Sequence, residues 1–509
     1  MTSESAMLLH NCQTVSLSEI PLVSSESFRE TIVHKVLEGG RILSLFGSPA
    51  GSDDKIRLYG MVAMPESGGF LILAADVGDR YWALTPDCIQ ANWFEREIAE
   101  QWGVRPEGHP WLKPFRFHSS YRFPRDAWQR GPDDEIVAGV TEFFQVEGEE
   151  VHEVAVGPVH AGIIEPGHFR FQCHGENVMH LEISLGYQHR GIERALIKGP
   201  RKRAQHYMET LAGDTTIGHA LAYSHGMEAL TGTLPTFRAQ EIRGIALEFE
   251  RLANHTGDLG ALAGDVGYLP TASFCGRLRG DFLNMTAMVC GNRFGRSWMR
   301  PGGSMFDLTP EMCEVLLQRL EVTYEETKAA VDLLWNTPSV MARFEETGRL
   351  TDDMCTSLGL VGVAARACRV RRDVRYEFPS GIYRFVNIPI VSWPSGDVFS
   401  RAQVRWWEIM NSVAFIQKRL TDLSAGEIQA DPGHALSPNT LTTSLVEGWR
   451  GEICHTILTD ESGQIARYKV VDPSFHNWSG LAMALRGQQI SDFPLCNKSF
   501  NLSYCGNDL

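Results

Sequence analysis

Between about residue 28 and residue 90, apolar and polar positions alternate in the manner of strands. The β-rich runs are Arg41–Phe46, Lys55–Met64 and Phe70–Ala75, and Gly-Ser and Pro-Glu-Ser-Gly-Gly sequences between them supply turns. Ala91–Trp102 then changes to helical spacing. Arg125–Glu150 is polar, has Pro124 just before it and Pro132 near its start, and reads as a linker that ends at a domain boundary near residue 150. Beyond that point helices dominate. Thr309-Pro310-Glu311 is a helix start, with a capping hydroxyl, a proline at the first position and an acid in the first turn. Met312, Val315, Leu316 and Leu320 follow at helical spacing, and the pattern continues to Leu334. Arg238–Leu262 and Ala402–Leu423 share that period, and short β-like runs such as Tyr383–Val391 interrupt it.

A chain of 509 residues is too long for one compact core, and roughly three domains are expected. The net charge of −15 makes most of the surface repel phosphate backbones, which excludes nucleic acid as a partner. The most apolar windows, such as Phe70–Ala75 and Leu358–Ala365, fall far short of the ~20 residues that span a bilayer. The first residues have neither a basic segment nor a long apolar one, so the chain is expected to stay where it is made and to be carried to any membrane by other subunits. Eleven cysteines run from Cys12 to Cys505 with no C-x-x-C pair, a pattern of isolated thiols. No G-x-G-x-x-G follows a strand, so nothing marks the chain for NAD.

The segment NWFEREIAEQWGVRPEGHP, Asn92 to Pro110, resembles the small 30-kDa-type subunit of complex I. GPVHAGIIEPGHFRF from Gly157 and LGYQHRGIE from Leu185 are similar to the opening of the complex I 49-kDa-type subunit and of membrane-bound [NiFe]-hydrogenase large subunits. Further matches follow in order: RAQEIR from Arg238, ERLANHT from Glu250, RPGG from Arg300, SGDVFSR from Ser395, WRGE from Trp449 and DFPL from Asp492. One such motif arises cheaply by chance; an ordered series does not. The resemblance implies an α+β fold, with a small N-terminal α/β domain fused to a mainly helical domain with a peripheral β region. It divides the chain into an extension over 1–27, a 30-kDa-like domain over 28–124, a linker over 125–150 and a hydrogenase-large-subunit-like domain over 151–509. The fused arrangement is that of formate-hydrogenlyase and hydrogenase-4 large subunits.

In this family a [NiFe] centre takes four thiolates from two C-x-x-C pairs, soft ligands that hold both metals. The corresponding positions here are Ala212 and Thr215 in LAGDTTIGHALAYS, and Ser503 and Gly506 in FNLSYCGNDL, with Cys505 one residue out of register. The chain also ends at Leu509 without the extension removed during nickel maturation in many relatives. The departure matches energy-converting-hydrogenase-related complexes, and complex I itself uses the vacated cavity for a quinone headgroup. No metal is therefore expected in this chain, quinone is the candidate ligand of the cavity, and [4Fe–4S] clusters are expected in partner subunits.

The resemblance also nominates side chains. Glu165 lies in the loop that carries the hydrogenase proton-transfer glutamate and the complex I quinone histidine, with His160 and His168 flanking it. Asp265 matches a buried acid facing the cavity, and Arg450 matches an arginine over the metal site. Asp214 and His219 add polar groups to the same pocket, while the complex I quinone tyrosine falls near Gly213. Asp397 with Arg401, and Arg300, are expected to form buried ion pairs. The implied role is a core subunit on the cytoplasmic side of the inner membrane. It would dock an iron–sulfur subunit and membrane ion-pumping subunits, with formate dehydrogenase as a candidate donor. The alternative is an assembly and coupling subunit with no redox substrate.

Overall fold

A computed structural model describes residues 6–51, 54–131, 133–162, 164–198, 201–431, 433 and 435–509. Residues 1–5 of the expected extension, and Pro132 in the expected linker, lie outside the described residues. The fold is α+β.

Short strands β1 (Met7–Leu9), β2 (Thr14–Ser16) and β3 (Leu22–Val23) precede helix α1 (Ser25–Leu37). The meander β4 (Arg41–Pro49), β5 (Ile56–Met64) and β6 (Gly69–Val77) contains all three expected strands. β1 and β3 both join β6. α1 departs from the expected strand pattern: only Phe28 and Ile32, one turn apart, are fully buried, so its apolar face is too thin to read against the polar remainder. The Ser24 side chain, accepting from Ser27 N, fixes its start. β7 (Arg80–Trp82) and β8 (Arg105–Glu107) pair in parallel around α2 (Asn92–Trp102), the expected helix.

The sheet β9 (Val151–Val156), β10 (His168–His174) and β11 (Asn177–Ser184) opens the second half. Helices α3 (Ile192–Leu196), α4 (Arg201–Met208), α5 (Thr216–Thr231), α6 (Phe237–Asp265) and α7 (Leu269–Cys290) lead to the two-residue strands β12 (Met299–Arg300) and β13 (Gly303–Ser304). Then come α8 (Pro310–Trp335), α9 (Pro338–Phe344), α10 (Asp352–Leu358), α11 (Gly362–Arg366), α12 (Val374–Glu377) and α13 (Val398–Thr421). Thr309 caps α8 as its sequence requires, accepting from Met312 N. Tyr383–Val391 is not a strand: a 3-10 turn over Gly381–Arg384 and irregular chain replace it, and Pro389 there has no N–H to give a ladder. β14 (Thr440–Glu447), β15 (Glu452–Thr459) and β16 (Ile465–Val471) form an antiparallel sheet that β2 extends, and α14 (Pro473–Ala484), α15 (Phe493–Phe500) and α16 (Tyr504–Asn507) close the chain.

The first 120 residues share a core with the C-terminal sheet. Phe94 packs on Phe475 at 4.6 Å, and Arg41 pairs with Glu452 through two bonds of 2.7 and 2.6 Å. A second, charged core joins α6, α13 and β14. Glu248, Arg251 and His255 recur on one face of α6. Arg251 donates to Glu248 at 3.0 Å, and His255 Nε2 lies 2.8 Å from Glu408 of α13. Arg366 bridges Glu408 and Glu447 of β14 at 2.5 and 2.7 Å. Glu248 accepts further bonds from Arg375, Ser412 and Tyr383.

Burial alone would raise the Glu248 carboxyl, but Arg251 and Arg375, with the two hydroxyl donors, outweigh it and hold the group at about 2. The unfolded carboxyl binds its proton more readily, so this stability is fully present above about pH 4.5 and is lost as pH falls toward 2; it amounts to about 3 kcal/mol. Between those pH values Glu248→Gln is expected to lose about 3 kcal/mol less than the parent, by urea unfolding. Parallel pH profiles for the two proteins would refute this assignment.

Candidate functional site

Arg450 sits in the turn between β14 and β15, its guanidinium 3.9 Å over the Trp449 ring. It grips Asp214 through two bonds of 2.6 and 2.7 Å and reaches the Thr215 hydroxyl at 3.2 Å. The turn is held by glycine: a Cβ on Gly362 would collide with the Arg450 carbonyl, so α11 can pass beneath only without a side chain. The segment before α5 is fixed from α6. Glu250 accepts from Ile217 N at 2.6 Å and Gly218 N at 3.1 Å, and Asn254 donates to the Asp214 carbonyl at 3.0 Å. Burial pushes Asp214 up, yet Arg450 outweighs it and keeps the carboxyl below its ordinary range.

The other side of the site is the chain's tail. Ser503 caps α16, its hydroxyl accepting from Gly506 N at 3.0 Å while its own N–H donates to Ser474 Oγ at 2.8 Å. Gly506 lies against Asp472, where a Cβ would come within 2.8 Å of the carboxyl carbon. Ala212 and Thr215 are buried opposite. Cys505 is buried too, and burial with the nearby Glu165 pushes its thiol up to about 12. Arg116 anchors the tail from the N-terminal region by donating to the Asn507 carbonyl at 2.8 and 3.1 Å.

Behind this surface runs a polar chain with no exposure. Asp472 Oδ2 lies 3.0 Å from His219 Nε2, His219 Nδ1 lies 3.0 Å from His455 Nε2, and His455 Nδ1 lies 2.8 Å from the Tyr468 hydroxyl. Burial opposes the Asp472 charge, but the His219 bond and Arg450 hold its carboxyl low. With Asp472 ionised one arrangement satisfies every group: Tyr468 donates to His455, His455 to His219, and His219 to Asp472. Burial, and then His219, push the His455 imidazole far down, so it stays neutral.

Of the residues singled out in the sequence, Asp214, His219 and Arg450 meet here. Glu165 also reaches the site, accepting from Cys505 N at 2.8 Å. His160 is exposed at its edge, 6.4 Å from the Tyr504 ring, and bonds to the Gly157 carbonyl. His168 turns away at the start of β10, packed on Phe143 at 5.3 Å. Asp265, expected to be buried, is exposed at the last residue of α6. A carboxylate is poorly tolerated inside a helix C-terminus, and solvent relieves that repulsion. Among the described residues, the expected ion pairs of Arg401 and Arg300 do not form. Asp397 caps α13, Arg401 donates to Ser499 and to the Gly396 and Gly348 carbonyls, and the Arg300 side chain is exposed. Sequence reading missed Asp472, His455 and Tyr468. The one local signal, Asp472-Pro473-Ser474, announces a helix cap, which Asp472 also is.

The family described as respiratory-chain NADH dehydrogenase, 49-kDa subunit, matches residues 265–444 and 433–508. The carbon monoxide-induced hydrogenase of Rhodospirillum rubrum is 30% identical over 351 residues, 69% of this chain and 97% of that protein. Formate hydrogenlyase subunit 5 of Escherichia coli (strain K12) is 27% identical over 498 residues, 92% of this chain and 85% of that protein. NADH-quinone oxidoreductase subunit 4 of Thermus thermophilus is 29% identical over 370 residues, 67% of this chain and 90% of that subunit. The chain belongs to the family of complex I 49-kDa subunits and membrane-bound hydrogenase large subunits.

Tyr468→Phe leaves His455 Nδ1 buried without a donor and is expected to cost about 1–3 kcal/mol in urea unfolding. In a His455→Phe background the same change is expected to cost under about 0.5 kcal/mol. Equal costs in both backgrounds would show that the bond does not link the two residues.

Proposed function

We propose that this chain is a core peripheral-arm subunit of a membrane-bound respiratory redox complex that works without a nickel–iron centre. The observation that carries this reading is the content of the four positions where the family places thiolates. Ala212, Thr215, Ser503 and Gly506 present a methyl group, two hydroxyls and a hydrogen, none of them a soft donor. The hydroxyl of Thr215 is held by Arg450 and that of Ser503 by Gly506 N. Cys505 leaves a single thiol, which does not fit a centre held by four thiolates.

The acceptor we assign to the vacated space is a quinone, which supplies two-electron, two-proton redox chemistry when bound. Support comes from Gly213, where a Cβ would meet nothing within 4 Å, and from Asp214 beside it, 33% exposed. The chain's own part is to keep the Asp214–Arg450 pair at the mouth, with the His219–Asp472 hydrogen bond behind it. A change of charge there would bias ion translocation by partner subunits.

For the architecture we propose the 30-kDa-like domain over 28–124, the linker over 125–150 and the large-subunit-like domain over 151–509. The match to formate hydrogenlyase subunit 5 takes in 92% of the chain, whereas the other two take in 69% and 67%, which is consistent with an added N-terminal part. No described helix is long and apolar enough to cross a membrane. In this reading an iron–sulfur subunit with [4Fe–4S] clusters and membrane ion-pumping subunits complete the complex on the cytoplasmic side of the inner membrane. Formate dehydrogenase is the proposed donor.

A second reading, an assembly and coupling subunit without a redox substrate, is favoured by Arg450 and Asp214 already satisfying each other. Asp214→Asn separates the two, because it keeps the side chain's size at a half-buried position and removes only the charge that faces Arg450. A working cavity predicts a fall of about tenfold in donor-to-quinone turnover of the assembled complex. Unchanged turnover would favour the structural reading.

A further inference from the structure

The chain leaving α7 brings Arg293, Arg296 and Arg300 to the surface, and all three are exposed. Asn292 shapes this loop, its side chain accepting from Phe294 N at 2.9 Å and from Arg296 N at 3.4 Å. Gly295, at φ +75°, seats the loop on α5, since a Cβ there would come within 2.6 Å of Ile217. Ser297 N donates to Glu209 at 2.7 Å and so ties the loop to the end of α4. On that helix Arg203 and His206, one turn apart, are exposed as well. Ile217 is three residues past Asp214, so this basic face borders the mouth of the candidate site.

The charges of the loop are unmatched. Elsewhere, exposed arginines stand against acids: Arg80 against Glu107, Arg277 against Asp281 and Glu326, and Arg349 against Glu346. Among the described residues no ion pair or side-chain hydrogen bond reaches Arg293, Arg296 or Arg300, and Arg293 has only the Phe294 ring at 4.8 Å. The Glu209 side chain below the loop is 2% exposed and already holds Ser297 N and His206. In a chain of net charge −15, a fixed cluster of unpaired arginines repels itself and is relieved by negative charge from outside.

Two properties decide what brings that charge. Guanidinium forks take carboxylates through paired hydrogen bonds, and arginine is enriched where proteins meet. No large apolar side chain is exposed over residues 203–210 or 291–304, so nothing on this face would enter the acyl layer of a lipid surface.

We propose that the Arg293–Arg296–Arg300 face docks an acidic surface of another subunit, whose carboxylates accept from the three guanidinium groups. The inference rests on the proposed place of the chain in a multisubunit complex and adds which face meets a partner and with what chemistry. A subunit seated here would also cover the mouth at Asp214.

The test uses the complex purified through a tag on the full chain. Arg296→Lys keeps the charge and supplies an amine that a carbodiimide joins to a carboxyl in contact with it. Mass spectrometry is expected to find that amine linked to an Asp or Glu of a different subunit. The double variant Arg293→Glu with Arg296→Glu, at exposed positions, is expected to keep the parent's urea midpoint and to recover about tenfold less of that subunit. The full chain is also floated with vesicles of phosphatidylcholine, with and without phosphatidylglycerol. Links only to carboxyls of this chain, undiminished recovery in the double variant, or arginine-dependent flotation with phosphatidylglycerol in place of a subunit link would overturn the inference. Such a failure with the other subunits still bound leaves the proposed function standing, whereas a parent chain that purifies alone would contradict both.

Discussion

Glu408 of α13 takes His255 and Arg251 on one oxygen and Arg366 on the other, and the register of the helical half depends on that carboxylate. Charges so deeply buried are tolerated only when every member has a partner, so α6, α11, α13 and β14 have little freedom to slide. The consequence reaches the functional surface through α6. Residues 248, 251 and 255 lock into the charged core, while Glu250 and Asn254, on a neighbouring face of the same helix, hold the segment carrying Asp214. β14 holds Glu447 in that core and leads directly into the turn that presents Arg450. The Asp214–Arg450 pair is therefore positioned from both ends by one network.

The tail is positioned differently. α16 is too short to hold itself, and its bonds go to distant parts of the chain. Arg116 takes the Asn507 carbonyl, Gly186 N donates to Asp508 at 2.8 Å, and Glu165 accepts from Cys505 N. Arg116 in turn pairs with Glu97 of α2, which Lys469 of β16 also reaches. The N-terminal region thus acts as a clamp on the last residues, and the site is assembled from both ends of the sequence.

Much of this is legible in the amino-acid sequence. The strands at Arg41, Ile56 and Gly69, and the capped helix after Thr309, follow from period and turn chemistry, which are local. Asp214, His219 and Arg450 were found through resemblance and do converge. What could not be read was long-range: Asp472 and His219 are 253 residues apart, and neither position says which polar neighbour it meets. The charged core was illegible for a related reason, since Glu248 and Arg251 look like a solvated face until α13 and β14 cover them. Asp265 and Arg401 erred the other way. A family position predicts a residue's place in the fold, but local energetics decide whether its side chain turns inward or finds a carbonyl instead.

The central claim concerns chemistry that four side chains do not supply. Its most direct test is nickel per chain in the purified complex, by elemental mass spectrometry, with hydrogen uptake assayed on the same sample. The account predicts nickel at background and no hydrogen uptake. Nickel near one atom per chain together with hydrogen oxidation would contradict it, and would mean that ligands other than those at 212, 215, 503 and 506 hold the metals.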